Sequence, residues 1–476
     1  MTRTTGSDRG NPAKAIEVVA SEERMLHSDA FAWYMENDPV LRSTVVAVIR
    51  LEGSPDWDTL RFRIDRLTRL VPKLRMRVQE PPLRIGPPRW TLAESFDLDF
   101  HLRRGRVTAT GGWPEVMEFA RTAAMSGFDR TKPLWEFTLL EGMADGGAAL
   151  VTKLHHSLTD GIGGVQLAAL VVDAGPDGAP PGALPAEPEA HHVSSAALTA
   201  HSISDDAVEA AGAFAHVVRA LPGGAIGAVR HPFATARGGM ATTFSISRFV
   251  APVNRQASKV FGQRRTGRLL ATLDVPFAEL HAAANAAGSK LNDAYLAALT
   301  EGLQRYHTRR GEPLREMRFT VPVSIRASDD AIGGNRITLI RITVPAEIRE
   351  PAERIRHIAA IMRRWRHEPA LGHAQEIAFG LNLLPRAYLS SIFKRIEVVA
   401  SDVPGLPNEV WLAGAKVTGY YGFGPTIGSG LNVTLMSYAG TCNVGVNIDT
   451  GAVDDPQAML GCLREGFEQV LAIGRG

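Results

Sequence analysis

His155 and His156 stand side by side in LVTKLHHSLTDGIGG, residues 150–164, and Asp160 and Gly161 follow after three further residues. A neutral imidazole can take a proton from a hydroxyl near pH 7. If the acyl donor is already activated, as a thioester is, no enzyme nucleophile is needed. The histidine deprotonates an acceptor, the acceptor attacks the carbonyl, and the leaving thiolate is reprotonated. Asp160 can fix the loop or pair with a cation behind the imidazole. Gly161, Gly163 and Gly164 permit a tight turn and close approach of another molecule. The opposing reading, a buried structural histidine, would be favoured for an isolated His but not for this seven-residue block.

The spacing alone is ambiguous. From His156 it reads HxxxD, and from His155 it reads HxxxxD, the pattern of the glycerophosphate acyltransferases. Those are usually shorter chains with apolar membrane-binding segments, which are not found here. No GxSxG supports a serine hydrolase and no HExxH a zinc hydrolase.

The elements that must position these residues are legible in outline. An apolar strand (148–156) delivers the histidines to its end, and a helix (164–174) follows the turn. Before them come a strand at 43–53, an amphipathic helix at 56–72 with Leu60, Ile64, Leu67 and Val71 on one face, a helix at 113–127 and a strand at 135–142. Residues 175–195 are rich in Pro, Ala and Gly and read as a linker. A second folded region begins near 267. It has a strand, helices at 276–288 and 291–307, strands at 317–325 and 336–345, helices near 350–366 and 374–392, hairpin-like strands between 409 and 449, and a last helix after 454–456.

The expected organisation is a flexible start (1–20), a first domain (21–174), a linker with amphipathic helices (175–266) and a second domain (267–476). Each domain is mixed α/β or α+β. A chain of 476 residues suits more than one core. A net charge of +2 gives no case for nucleic-acid binding. Cys442 and Cys462 have no metal-ligand spacing, so no metal site is expected and a reducing compartment is the default. No secretory segment and no membrane span are visible.

HHSLTDG resembles the HHxxxDG signature of the CoA-dependent acyltransferase superfamily. The surrounding blocks resemble its bacterial wax ester synthase/diacylglycerol acyltransferase branch. They are RWTLAESFDLDFHLRR (89–104), the Pro133-Leu134-Trp135 of FDRTKPLWEFTLLEG, KLND (290–293), VPVSIR (321–326) with GGNR (333–336), and SDVPGLP (401–407). They occur in family order from about 25 to 470. The resemblance implies two chloramphenicol-acetyltransferase-like domains with a substrate tunnel at their interface. Acyl-CoA would enter from one side, as substrate and with no cofactor, and diacylglycerol or a long-chain alcohol from the other.

The resemblance further implies that His156 is the general base and that His155 orients the site. Asp160 would be structural, paired with Arg75 of PKLRMR (72–77) or, in reserve, Arg77. Gly161 would make room for substrate. Asn292 and Asp293 would shape the active site from the second domain, against an equally weighted reading as a helix cap. The Pro-Leu-Trp block reads as core.

Two departures stand out. Asp402 replaces the usual Asn of the family's SNVPG run, and SLT replaces the commoner ALV-like interior of the histidine block. Neither touches His156, so they bear on substrate choice more than on reaction class. A condensation-like acyltransferase for a specialised lipid or polyketide alcohol, and a non-catalytic lipid-binding protein, are the competing functions. The insoluble products imply a cytoplasmic enzyme peripherally attached to the inner membrane or to lipid droplets, with residues 205–250, and 230–240 within them, as candidate contact surfaces, while the amphipathic helix at 205–221 is read first as packing on the core.

Overall fold

A computed structural model describes residues 22–82, 86–108, 110–178, 182–189, 200, 257–326, 334–366, 374–382, 384 and 386–475. The expected flexible start and the proposed contact surface at 205–250 lie outside these residues. Among the described residues, two six-stranded sheets and one three-stranded sheet organise the fold. The first large sheet runs, in spatial order, Trp411–Leu412, Ala415–Phe423, Thr44–Leu51, Ala148–His155, Trp135–Glu141 and Leu102–Arg106. The second runs Ile337–Pro345, Glu316–Ser324, Val398–Val403, Leu431–Tyr438, Thr441–Asp449 and Arg268–Pro276.

The strand that carries the histidines is central. It pairs antiparallel with Thr44–Leu51 on one edge and with Trp135–Leu140 on the other. All of its residues are buried, which explains its near-continuous apolar run: Leu150 and Leu154 face one core, and Ala149 and Val151 face another. The helix Trp57–Leu70 packs the predicted face, with Leu60, Ile64 and Leu67 buried, and the Asp56 side chain caps it through the Thr59 N–H. Leu134 and Trp135 are buried, and the Trp135 indole donates to the Leu74 carbonyl at 2.7 Å, so the Pro-Leu-Trp block is core.

Four local readings need revision. The helix after the histidine turn spans Gly161–Ala169 and starts three residues earlier than expected, because Asp160 itself caps it. The single helix expected at 374–392 is two, Ala374–Asn382 and Arg386–Phe393. Pro385 lies between them in the sequence and lacks the N–H a continuous helix needs. Residues 182–189 are held against the helix Trp57–Leu70 rather than forming a free linker. Arg69 donates to the Pro185 carbonyl at 3.0 Å, and Arg75 pairs with Glu187.

The fourth revision is topological. The second domain does not keep all of residues 267–476. Ala415–Phe423 joins the first sheet, pairing with Thr44–Leu51, and the chain then returns to the second sheet at Leu431–Tyr438. Where this strand passes Thr441–Asp449 the backbones nearly touch. A Cβ on Gly445 would lie 2.0 Å from the Gly422 carbonyl oxygen, so only glycine fits. Asn443 and Asn447 from the second sheet bind the crossing strand, accepting from the Tyr420 N–H at 3.0 Å and donating to the Gly424 carbonyl at 3.0 Å.

Candidate active site

A cavity of about 390 Å³ lies between the two large sheets, within the range of small-molecule sites. Ala47, Leu150 and Leu154 line it from the first sheet, and Thr320 and Leu339 from the second. His156, just past the end of the central strand, lines it too. The His156 N–H donates to the Ser43 carbonyl at 2.9 Å, which anchors the backbone at the point where the ring leaves the sheet. Burial lowers the ring's pKa from its ordinary 6.5, against the opposing pull of the Asp160 charge. His156 is therefore neutral at pH 7 and available as a proton acceptor.

His155 points the other way, into the core, and is fully buried. The Ser157 N–H donates to its Nδ1 at 3.2 Å, and the Ser157 hydroxyl lies 2.7 Å from the same atom. That makes Nδ1 an acceptor and places the ring proton on Nε2, which faces Glu36 Oε2 at 3.5 Å. Glu36 also accepts the Ser43 N–H at 2.9 Å. Burial raises the Glu36 pKa, but His155, the Ser43 N–H and Arg42 outweigh it and hold the carboxyl below its ordinary value. One carboxylate thus faces the His155 ring and, through the Ser43 N–H, the backbone to which His156 is anchored. Nothing in the local sequence around Glu36 pointed to this role.

Asp160 is buried and saturated. Oδ1 accepts the Gly163 N–H at 2.7 Å, and Oδ2 accepts the Arg336 N–H at 2.8 Å. Arg326 Nη2 reaches the two oxygens at 3.2 and 3.1 Å and donates as well to the Gly334 carbonyl at 3.0 Å. The loop after the histidines is therefore clamped to the second half of the chain.

The partner of Asp160 is Arg326, not Arg75 or Arg77. Arg75 is buried elsewhere, donating to Asp65 at 2.7 Å and to the Thr68 hydroxyl at 2.9 Å, and its guanidinium lies 4.3 Å from the Phe96 ring centre. Arg326 was within reach of sequence reasoning, since it ends the VPVSIR block. The resemblance pointed to PKLRMR as the block that supplies this partner, and the structure corrects it to the VPVSIR block.

Gly161 lines the cavity but does more than leave room. A Cβ there would lie 2.7 Å from Val403 Cγ2, so the glycine lets the strand Val398–Val403 approach. Asn292 lines a separate side chamber of about 190 Å³. Asp293 accepts the Lys290 N–H at 3.0 Å in a capping box, which supports the helix-cap reading for that residue. Asp402 lines both the main cavity and the side chamber. Burial, with the charge of Asp293 adding to it, pushes its pKa up to about 6.

Comparison with known proteins gives the family and the fold. The wax ester synthase/diacylglycerol acyltransferase catalytic-domain model matches residues 25–295, and the C-terminal domain model of that family matches 333–470. A Mycobacterium tuberculosis protein with the provisional name diacylglycerol O-acyltransferase is 36% identical over 446 residues, 93% of this chain and 90% of its own. A second protein of that species, with the same provisional name, is 29% identical over 94% of this chain and 96% of its own.

Among solved structures, a wax ester synthase/diacylglycerol acyltransferase from Marinobacter aquaeolei superposes with a TM-score of 0.63 at 20% identity, over 95% of this chain and all of that one. The first condensation domain of the CDA synthetase superposes with a TM-score of 0.64 at 13% identity, over 96% of each chain. These two likenesses establish the fold, the two-domain chloramphenicol-acetyltransferase-like architecture.

The two family models and the 36% identical relative make this chain an acyltransferase. The chain belongs to the wax ester synthase/diacylglycerol acyltransferase family.

Proposed function

We propose that the protein moves a long-chain acyl group from acyl-CoA to the hydroxyl of a diacylglycerol or a long-chain alcohol, with His156 as general base. The observation that carries this reading is a neutral imidazole on the wall of a mostly apolar cavity enclosed by both halves. The two substrates meet in one ternary complex. His156 takes the acceptor's proton, the alkoxide oxygen bonds to the acyl carbon, the C–S bond breaks, and the proton passes to the CoA thiolate. The walls exclude water, which would otherwise compete as acceptor.

The test is thiol release from palmitoyl-CoA by the protein and by His156→Ala, with hexadecanol, dioleoylglycerol or no acceptor. Acceptor-dependent release should fall by about 10²–10⁴-fold in the variant while its melting temperature holds. Equal release by both proteins would remove His156 from the chemistry.

The second part of the reading is contact with a lipid phase. Among the described residues no helix is long and apolar enough to cross a membrane. Support comes from the helices at 374–382 and 386–393. Ile377 and Leu381 line the cavity, while Phe379, Leu384 and Tyr388 in the same stretch are exposed. A lipid surface against that face would deliver apolar substrates next to the cavity. Phe379→Ser with Tyr388→Ser should reduce flotation with liposomes, and unchanged flotation would count against this surface.

A further inference from the structure

Asp402 stands in the wall between two cavities. On one side is the cavity onto which His156 opens, and on the other the side chamber lined by Asn292, Ile340, Met362 and Trp365. Pro322, Ser324 and Asp402 line both. An acceptor that occupied both would lie beside Pro322, Ser324 and Asp402. The residues before it on the strand, Val398 to Ala400, are core, so the strand places the carboxyl rigidly.

The carboxyl meets no hydrogen-bond or ion-pair partner among the described residues, and its charged neighbour is Asp293, of the same sign. An enclosed carboxylate without a donor is costly. A donor carried by a ligand would offset that cost.

We propose that Asp402 selects the acceptor: the side chamber takes an acceptor lipid that carries a second hydrogen-bond donor besides the hydroxyl being acylated, as a monoacylglycerol does. The proposal rests on acyl transfer at His156. An ionised carboxylate only accepts hydrogen bonds. A long-chain alcohol has one hydroxyl, and that one must face His156. A diacylglycerol adds only ester oxygens, which are themselves acceptors and meet the carboxylate lone pair to lone pair. A monoacylglycerol keeps a free hydroxyl that donates to Asp402 while its other hydroxyl is acylated. The bonds made and broken are those of the proposed reaction: O–C forms, C–S breaks, and the proton goes by way of His156 to the thiolate. Asp402 positions the acceptor and moves no proton.

The experiment compares the protein with Asp402→Asn, using palmitoyl-CoA and monooleoylglycerol, dioleoylglycerol or hexadecanol, with kcat and KM measured for each acceptor. The amide keeps the shape and adds a donor. We expect kcat/KM for monooleoylglycerol to fall about ten- to a hundredfold through KM, that for dioleoylglycerol to rise, and that for hexadecanol to stay within about twofold. A residue with a merely structural role would move all three together. Transfer with an unmoved ratio among the acceptors overturns the role of Asp402 and leaves acyl transfer standing. No transfer by the unaltered protein to any of the three overturns both. Should Asp402→Asn fail to fold, Asp402→Ser removes the same carboxylate and is read by the same ratio.

Discussion

Replacing Asp160 by Ala should destabilise the protein by about 4 kcal/mol. The side chain is buried, and it accepts from the Gly163 and Arg336 N–H groups and from Arg326. Loss of a helix cap alone costs about 1 kcal/mol. Removing one partner of a buried ion pair costs about 3–5 kcal/mol, because the other charge stays buried without it. Arg326 keeps the Gly334 carbonyl as a partner, which places its share at the low end of that range. The contributions overlap, so about 4 kcal/mol in total is expected. Asp160→Asn keeps the shape and an acceptor for the Gly163 N–H, and should cost about 2 kcal/mol.

Urea unfolding by tryptophan fluorescence, with Arg75→Ala as the contrast, is the assay. Arg75→Ala removes the links to Asp65 and Glu187 and should lower stability without lowering kcat. Asp160→Asn should lower kcat by about 10²-fold, because a small displacement of the histidine loop spoils alignment. A cost below about 1 kcal/mol for Asp160→Ala, or kcat loss in Arg75→Ala as large as in Asp160→Asn, would refute the clamp argument.

Two further outcomes follow from the same geometry. Because burial lowers the His156 pKa, the neutral base persists below the ordinary 6.5, so the acid limb of kcat/KM for acyl-CoA should be centred below that value. Activity is lost as pH falls through the limb, and a limb centred above 6.5 would contradict the assignment. Gly161→Ala puts a Cβ 2.7 Å from Val403 Cγ2, the end of a short, stiff side chain, and should cost about 1–3 kcal/mol. In a Val403→Ala background the same change should be neutral or stabilising by up to about 1 kcal/mol, since alanine is the better helix former. Equal costs in the two backgrounds would show that the contact does not limit the site.

Much of the frame is legible locally. The alternation and apolar runs of 44–51 and 148–155 and the face of the helix at 57–70 are short-range matters of periodicity. The histidine block is legible because its residues sit within one turn of chain. Its resemblance to a known family also gave the order of the remaining blocks. The resemblance placed the partner of Asp160 in PKLRMR, and nothing local to Asp160 marks Arg326, 166 residues away. Nor was Glu36, whose link to His155 spans a long loop of sequence and leaves no motif.

The sequence by itself determined most of the longer elements, the candidate base and the core role of Leu134 and Trp135, because each depends on neighbours a few residues away. Only the tertiary structure decided which arginine meets Asp160, that Val403 rests on Gly161, that Asn292 faces a side chamber, and that Ala415–Phe423 leaves its own domain to complete the first sheet. A strand's pattern says which faces are apolar but not whose edge it joins. That choice is made by packing between residues hundreds of positions apart, and it is what brings His156 and Asp402 onto one cavity.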